Sequence, residues 1–293
     1  MKPRILNFGS INIDHVYRVD HFVQAGETLA SESMSTVLGG KGANQSVAIA
    51  RAGGDVKHLG RLSEADQWVS TYLEASGVDI SLVESVAEPS GHAIIQVDSN
   101  GENSILLHGG ANQGFDHASL ESAIGQYNSG DYLLLQNETN AIAHAFDLAI
   151  SQGLKVVLKP APMSEHIRSL PLEKLDTLIV NLGEAQALAS QEKLDHVVET
   201  LAAKMPHTRI LITLGEQGVV FVNSGDVTKI DATTANVVDT TAAGDTFVGY
   251  FIASVVDGLK DLEALDRACR AAALAVESFG AMPSIPTLDQ LEG

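Results

Sequence analysis

The stretch VVDTTAAGDTFVGYFIASVVDG, residues 237–258, carries the clearest structural signal in the chain. Its second half, Phe247 to Val256, is apolar enough to form a buried helix. The residues just ahead of it, Ala242, Ala243, Gly244 and Asp245, include three small ones, so consecutive backbone N–H groups at the helix start stay uncovered. The helix dipole adds positive potential at that end. A phosphoryl group whose charge must be stabilised during transfer would fit there. Asp245 could take a proton from a hydroxyl held beside that phosphate. An aspartate in a first helical turn also simply complements the dipole and caps amides, and Asp245 alone does not separate the two readings. The small residues, with Asp239 and Thr240 upstream, favour a site.

The rest of the chain supplies the frame for this helix. RILNFGS (4–10) and DVKHLGRL (55–62) read as buried strands, as do the apolar runs at 131–136, 154–159, 177–181 and 208–214. Helices are expected over 42–52, 64–76, 139–152, 183–190, 194–204, 243–257 and 261–278. Strands alternating with helices imply βαβ units, so an α/β fold with a mostly parallel central sheet flanked by helices. Four segments break the rhythm: 12–19, 27–38, 91–98 and 102–108 alternate like half-exposed strands, the last two joined at a Ser-Asn-Gly turn. They read as a small sheet inserted at about 12–38 and 91–108 that covers a ligand site, or else as an antiparallel extension of the main sheet. No repeat, low-complexity segment or linker interrupts the chain, which predicts one domain over 1–293.

A second glycine cluster lies in LGGKGANQSVAIARAGG, residues 38–54. Gly39, Gly40, Lys41, Gly42 and Asn44 stand where a helix begins. Glycines let backbone approach a ligand closely or take positive φ.

Composition narrows the partners. The 293 residues are 45% hydrophobic, enough for a substantial core, and the mean hydropathy is +0.10. No run of about eighteen apolar residues predicts a membrane span, and the first residues lead into a strand pattern rather than a signal peptide. The formal charge of −19 repels nucleic acid and anionic membranes. The one cysteine, Cys269, excludes an internal disulfide and reads as a packing residue. A cytoplasmic location is the expectation. An acidic chain that binds a phosphorylated ligand needs local relief from amides, a metal or a few basic residues.

Both glycine segments carry a resemblance. DTTAAGDTF and GGKGANQSVAIARAGG resemble the late and early signatures of the ribokinase, or PfkB-type, family of carbohydrate kinases. GSINIDHV (9–16), HGGAN (108–112), KPAP (159–162) and TLGEQG (213–218) resemble further segments of that family in the same order. The resemblance implies a three-layer ribokinase-like fold with a small β-sheet lid, and an ATP-dependent transfer to the 5-hydroxyl of D-ribose. It makes Asp245 the catalytic base and the amides of Ala242, Ala243 and Gly244 the anion hole. It assigns the sugar to Asn12, Asp14, Gly40, Lys41, Asn44 and Glu138, a set of paired donors and acceptors suited to hydroxyls. The nucleotide falls to Asn181, Thr213, Gly215 and Gly218. Glu184 would hold hydrated Mg²⁺ through water, and Asp239, Thr241, Ala275, Ser278, Gly280 and Ser284 would surround K⁺. The resemblance also implies a homodimer paired through the lid.

Three features depart from the pattern. Lys159 stands where the family's Asn-Pro-Ala-Pro segment begins with Asn, LSEADQW (62–68) lacks a glycine-rich loop, and Val248 replaces a polar residue. Lys159 could neutralise phosphate, touch a different substrate or lie on the surface. These features leave a nucleoside, or another pentose or hexose, as the alternative substrate. A non-catalytic sugar or nucleotide sensor is the reading from a different class, and ligand-dependent stabilisation without turnover would mark it. A dinucleotide fingerprint fails because Gln45 occupies its third glycine position, no P-loop motif occurs, and the ten histidines lack metal-ligand spacing.

Overall fold

The computed structural model describes residues 2–293. In chain order the strands are β1 Ile5–Phe8, β2 Asn12–Arg18, β3 Ser33–Gly39, β4 Val56–Ser63, β5 Asp79–Val86, β6 Gly91–Val97 and β7 Asn103–His108. They continue with β8 Tyr132–Leu135, β9 Lys155–Leu158, β10 Thr177–Asn181, β11 Arg209–Thr213, β12 Val219–Asn223 and β13 Asp226–Ile230. Nine of them form one sheet in the order β13-β12-β11-β10-β9-β8-β1-β4-β5. The run from β11 to β5 is parallel throughout, and the β12–β13 hairpin adds an antiparallel edge.

Short, continuous apolar strands suit a parallel sheet buried on both faces. Alternate residues of each strand enter two separate cores. Ile5, Leu134, Val157, Ile179 and Leu211 pack under the helices Lys41–Arg51, Ala243–Val256 and Asp261–Ala275. Leu6, Leu133, Leu158, Val180 and Ile212 pack under His117–Ile124, Ile142–Ser151, Leu182–Ala189 and Leu194–Lys204. The result is three layers. β2, β3, β6 and β7 form a second sheet in the order β3-β2-β6-β7, so the reading as an extension of the main sheet is excluded. This sheet is mixed: β2 pairs parallel with β6 and antiparallel with β3.

The differences from the sequence reading concentrate where the pattern is weakest. Only Ser33–Gly39 of the expected 27–38 strand is extended in the sheet. The strands β5, β12 and β13 and the helix His117–Ile124 escape the reading altogether; β5 and β13 line the sheet edges and are mostly exposed or half-buried, whereas β12 is a buried apolar run that the reading passes over. Cys269 is half-buried against the core rather than enclosed by it.

The helices that begin at the two glycine clusters pack on each other at Gly249 and Ala48. A Cβ at Gly249 would clash with the Ala48 methyl and stand 2.8 Å from the Ile49 nitrogen. Gly249→Ala is therefore expected to destabilise the fold by about 1–3 kcal/mol, read from chemical denaturation. An unchanged midpoint would show that the two helices are not held at this spacing.

Candidate functional site

The parallel strands end along one edge, and ligands of open α/β sheets bind outside such carboxyl ends. Across this edge stand Thr213 at the end of β11, Asn181 at the end of β10, Lys159 after β9, Gln136 to Glu138 after β8, and Ser10 to Asn12 after β1. The two helix starts face the same edge and meet through Asp245.

Asp245 sits in the first turn of Ala243–Val256. Asn44 Nδ2 donates to its Oδ2 at 3.0 Å, and Gln45 Nε2 donates to its Oδ1 at 2.8 Å. Gln45 is oriented in turn: its Oε1 accepts from Gln136 Nε2 at 2.8 Å, and Gln136 also donates to Asn7 Oδ1 at 2.9 Å. Asn7 donates to the Gly42 carbonyl and to Ser46, which bonds the His58 ring. Burial pushes His58 down to about 4, so this end of the chain is neutral at pH 7. The amides thus present N–H groups to Asp245, a direction that favours its ionised form. Burial still raises the Asp245 pKa, while Gln45, Asn44 and Lys41 oppose the rise. A carboxylate held this way can accept a proton. Among the described residues the buried Asn44 Oδ1 has no partner, which leaves an acceptor available to a ligand hydroxyl.

At the same helix start, Ala242 takes a left-handed conformation with φ 60°, which turns the chain into the helix. The Ala243 N–H is used, bonding the Thr240 carbonyl at 3.3 Å. Among the described residues, the N–H groups of Ala242, Gly244 and Asp245 have no partner. The free donors are therefore not the expected set: Ala243 drops out and Asp245 joins. A Cβ on Gly244 would meet nothing within 4 Å, so open space fronts these amides. The free N–H groups and the dipole make an anion site.

The first glycine cluster builds the neighbouring wall. Gly40 has φ 90°, and a Cβ there would lie 2.7 Å from the Asn12 nitrogen, so a side chain is excluded on both counts. Lys41 Nζ donates to Glu138 Oε1 at 2.7 Å and its backbone N–H to Oε2 at 3.0 Å; the Ser10 hydroxyl also donates to Oε2. Lys41 and Glu138 thus hold each other. Burial disfavours the Lys41 ammonium, yet Glu138, with Asp245 and Glu184, keeps its pKa above the ordinary lysine value. Asn12 is buried, its Oδ1 accepting from Asn112 Nδ2 at 2.7 Å. Asp14, one strand position pair further along β2, is raised to about 6 by burial and then by the Glu138 charge, with Lys41 acting the other way.

The sign of that shift has a consequence. A carboxyl whose folded pKa lies above its ordinary 3.8 contributes stability that is fully present below that value and is lost as pH rises through about 6. Asp14→Asn is expected to stabilise the fold by roughly 1–3 kcal/mol near pH 8 and by nothing near pH 4, while weakening ligand binding. Denaturation of both chains at the two pH values checks this, and an equal gain at both would contradict it.

On the other side, Asn181 and Glu184 form a capping box: Asn181 Oδ1 accepts from the Glu184 N–H at 2.8 Å and Glu184 Oε2 from the Asn181 N–H at 2.9 Å. The Lys159 ammonium donates to the same Oε2. Lys159 is 9% exposed, so its reading as a surface charge is wrong. Glu184 Oε1 has no partner among the described residues. Thr213 bonds the Val180 carbonyl at 3.3 Å, and Gly215 (φ 61°) opens onto free space. Gly218 instead packs against β13, so it serves the turn rather than an open face.

Asp239 pins two loops together. Its Oδ1 accepts from the Thr241 N–H at 2.9 Å and hydroxyl at 2.6 Å, its Oδ2 from the Gly280 N–H at 2.9 Å. Burial opposes ionisation, but these bonds hold its pKa below the usual range. The Ser278 N–H bonds the Ala275 carbonyl at 3.4 Å, and buried Ser284 bonds the Ala281 carbonyl, so the expected cation positions lie on two loops, Asp239 and Thr241 on one and Ala275, Ser278, Gly280 and Ser284 at a helix end and the loop after it. Among the described residues no three His, Cys, Asp or Glu are placed to hold a metal alone, and no helix is long and apolar enough to cross a membrane. Sequence reasoning missed Ser10, Gln45, Gln136 and the Lys159–Glu184 pairing; Gln45, beside Asn44 at the helix start, was the one visible signal.

Comparison with known proteins identifies the family and the fold. The model of the pfkB family of carbohydrate kinases matches residues 2–288. A ribokinase of Haemophilus influenzae is 36% identical over 98% of this chain and 96% of its own. The structure of a Cryptococcus neoformans ribokinase in complex with ADP superposes with a TM-score of 0.85 at 35% identity, covering 99% of each chain. The structure of an Arabidopsis thaliana ribokinase with ribose and ATP has a TM-score of 0.89 at 29% identity, covering 100% of this chain and 98% of that one.

Proposed function

The chain belongs to the pfkB family of carbohydrate kinases, and on that premise we propose that it transfers the terminal phosphate of ATP to the 5-hydroxyl of D-ribose. The observation that carries this reading is the Asp245 carboxylate, held by two side-chain amides at a helix start whose Ala242, Gly244 and Asp245 N–H groups are unpartnered. Asp245 takes the hydroxyl proton as the oxygen attacks, and the three N–H groups stabilise the charge on the transferring phosphoryl. Asn12, Asp14, Lys41, Asn44 and Glu138 orient the sugar, with the buried Asn44 Oδ1 accepting from a hydroxyl. Gly40 lets the backbone come close.

ATP would lie along Asn181, Thr213 and Gly215, with Gly218 holding the turn behind them and exposed Val237, Val238 and Phe279 offering an apolar surface for the base. The residues fit hydrated Mg²⁺, because Glu184 Oε1 is free to accept from a metal-bound water; bound there, the ion neutralises the triphosphate. K⁺ would be held by carbonyls of the loops that Asp239 joins. The small sheet serves as the lid, and its exposed Met34, Ile94, Ile105 and Leu106 support pairing with a second copy as a homodimer. In this reading the partners are the sugar and ATP, with no part for nucleic acid or membrane, and the expected location is the cytoplasm.

Phosphorus NMR of the product formed from ribose and MgATP tests the reading. A 5-phosphate couples to two protons on its carbon. An ester formed only with deoxyribose or a nucleoside would transfer the assignment to those substrates.

A further inference from the structure

We propose that Lys159 is a nucleotide-binding residue that grips the polyphosphate chain directly, an inference that rests on the kinase reading above. The sheet order places Lys159, after β9, midway along the site edge. Glu138 on the sugar side follows β8, and Asn181 with Glu184 on the nucleotide side follows β10. A phosphoryl group passing from nucleotide to sugar crosses this position.

The chemistry agrees with the placement. Only one acceptor among the described residues, Glu184 Oε2, bonds the Lys159 ammonium. An ammonium carries three donors, so two remain for a ligand. The side chains of Lys159 and Glu184 are each 11% exposed, and Glu184 still acts electrostatically on Lys41, which places the pair at the same cleft as Asp245 and Glu138. A buried ion pair adds little stability compared with a well-packed apolar pair, so stability alone does not account for it. Facing the cleft are Asp14, Glu138, Glu184 and Asp245, against Lys41 and Lys159. Lys41 is paired with Glu138 on the sugar side. Lys159, paired with Glu184 on the nucleotide side, is the cation placed for a triphosphate, and Glu184 fixes its position while keeping Oε1 free.

The test is titration calorimetry with metal-free ATP in chelator, and with adenosine, on the full chain. Lys159→Met is expected to weaken metal-free ATP by roughly tenfold or more, the scale of one charge-assisted contact, and to leave adenosine unchanged. Because Lys159→Met leaves Glu184 unpaired and able to repel phosphate, the Lys159→Met/Glu184→Gln double variant is measured alongside. The same loss in the double variant supports the contact. Recovery of wild-type ATP affinity in the double variant, or an equal loss for adenosine, overturns it. ADP release by the unaltered chain with Mg²⁺ separates the two claims: an active kinase whose variants bind metal-free ATP normally refutes the Lys159 contact alone, and a chain that binds no nucleotide refutes both.

Discussion

Replacing Asp245 with Asn is expected to lower kcat by about 10³-fold or more, with sugar affinity within a few-fold of the original. General-base removal alone accounts for roughly 10²–10⁴. The asparagine keeps nearly the same shape: its Oδ1 can still accept from Gln45, and its Nδ2 can donate to Asn44 once the Asn44 amide turns to present Oδ1, so the pocket persists. The free N–H groups of Ala242, Gly244 and residue 245 also persist, and they supply the residual rate. Steady-state kinetics with calorimetric sugar binding checks this. A variant that keeps more than about a tenth of kcat would remove Asp245 as the base.

Glu138→Ala should damage both fold and function. Glu138 accepts from the Lys41 ammonium, the Lys41 N–H and Ser10, and its side chain is only 6% exposed. Its loss leaves a half-buried ammonium unpaired and frees the helix start from the loop after β8. The expected cost is about 2–4 kcal/mol of stability, with a rise in sugar KM of roughly a hundredfold as Lys41 and the glycine turn lose their position. Glu138→Gln retains an acceptor and should lose less of both. Equal losses for the two variants would mean that the charge of Glu138, rather than its hydrogen bonds, does the positioning.

The contrast between what the sequence disclosed and what it hid has a physical basis. The central strands were legible because burial on both faces makes them unbroken apolar runs, as in YLLL and TLIVN. β5 and β13 were not, because edge strands mix exposed and buried residues, and neither alternation nor continuity stands out. The helix start that bears Asp245 is legible from small residues followed by a carboxylate, but its meeting with the other glycine-flanked helix start is not. Nor are the partners that hold Asp245, since Gln136 reaches Gln45 across 91 positions and only the sheet order brings them together. Lys159 shows the same limit. Its identity was visibly unusual, but its role depends on β9 lying beside β10, which no local pattern encodes.

ADP release from MgATP by the purified chain, with and without D-ribose, tests the central claim most directly. Turnover that depends on ribose and is strengthened by K⁺ is the expected result. ATP binding without ribose-stimulated ADP release would contradict it.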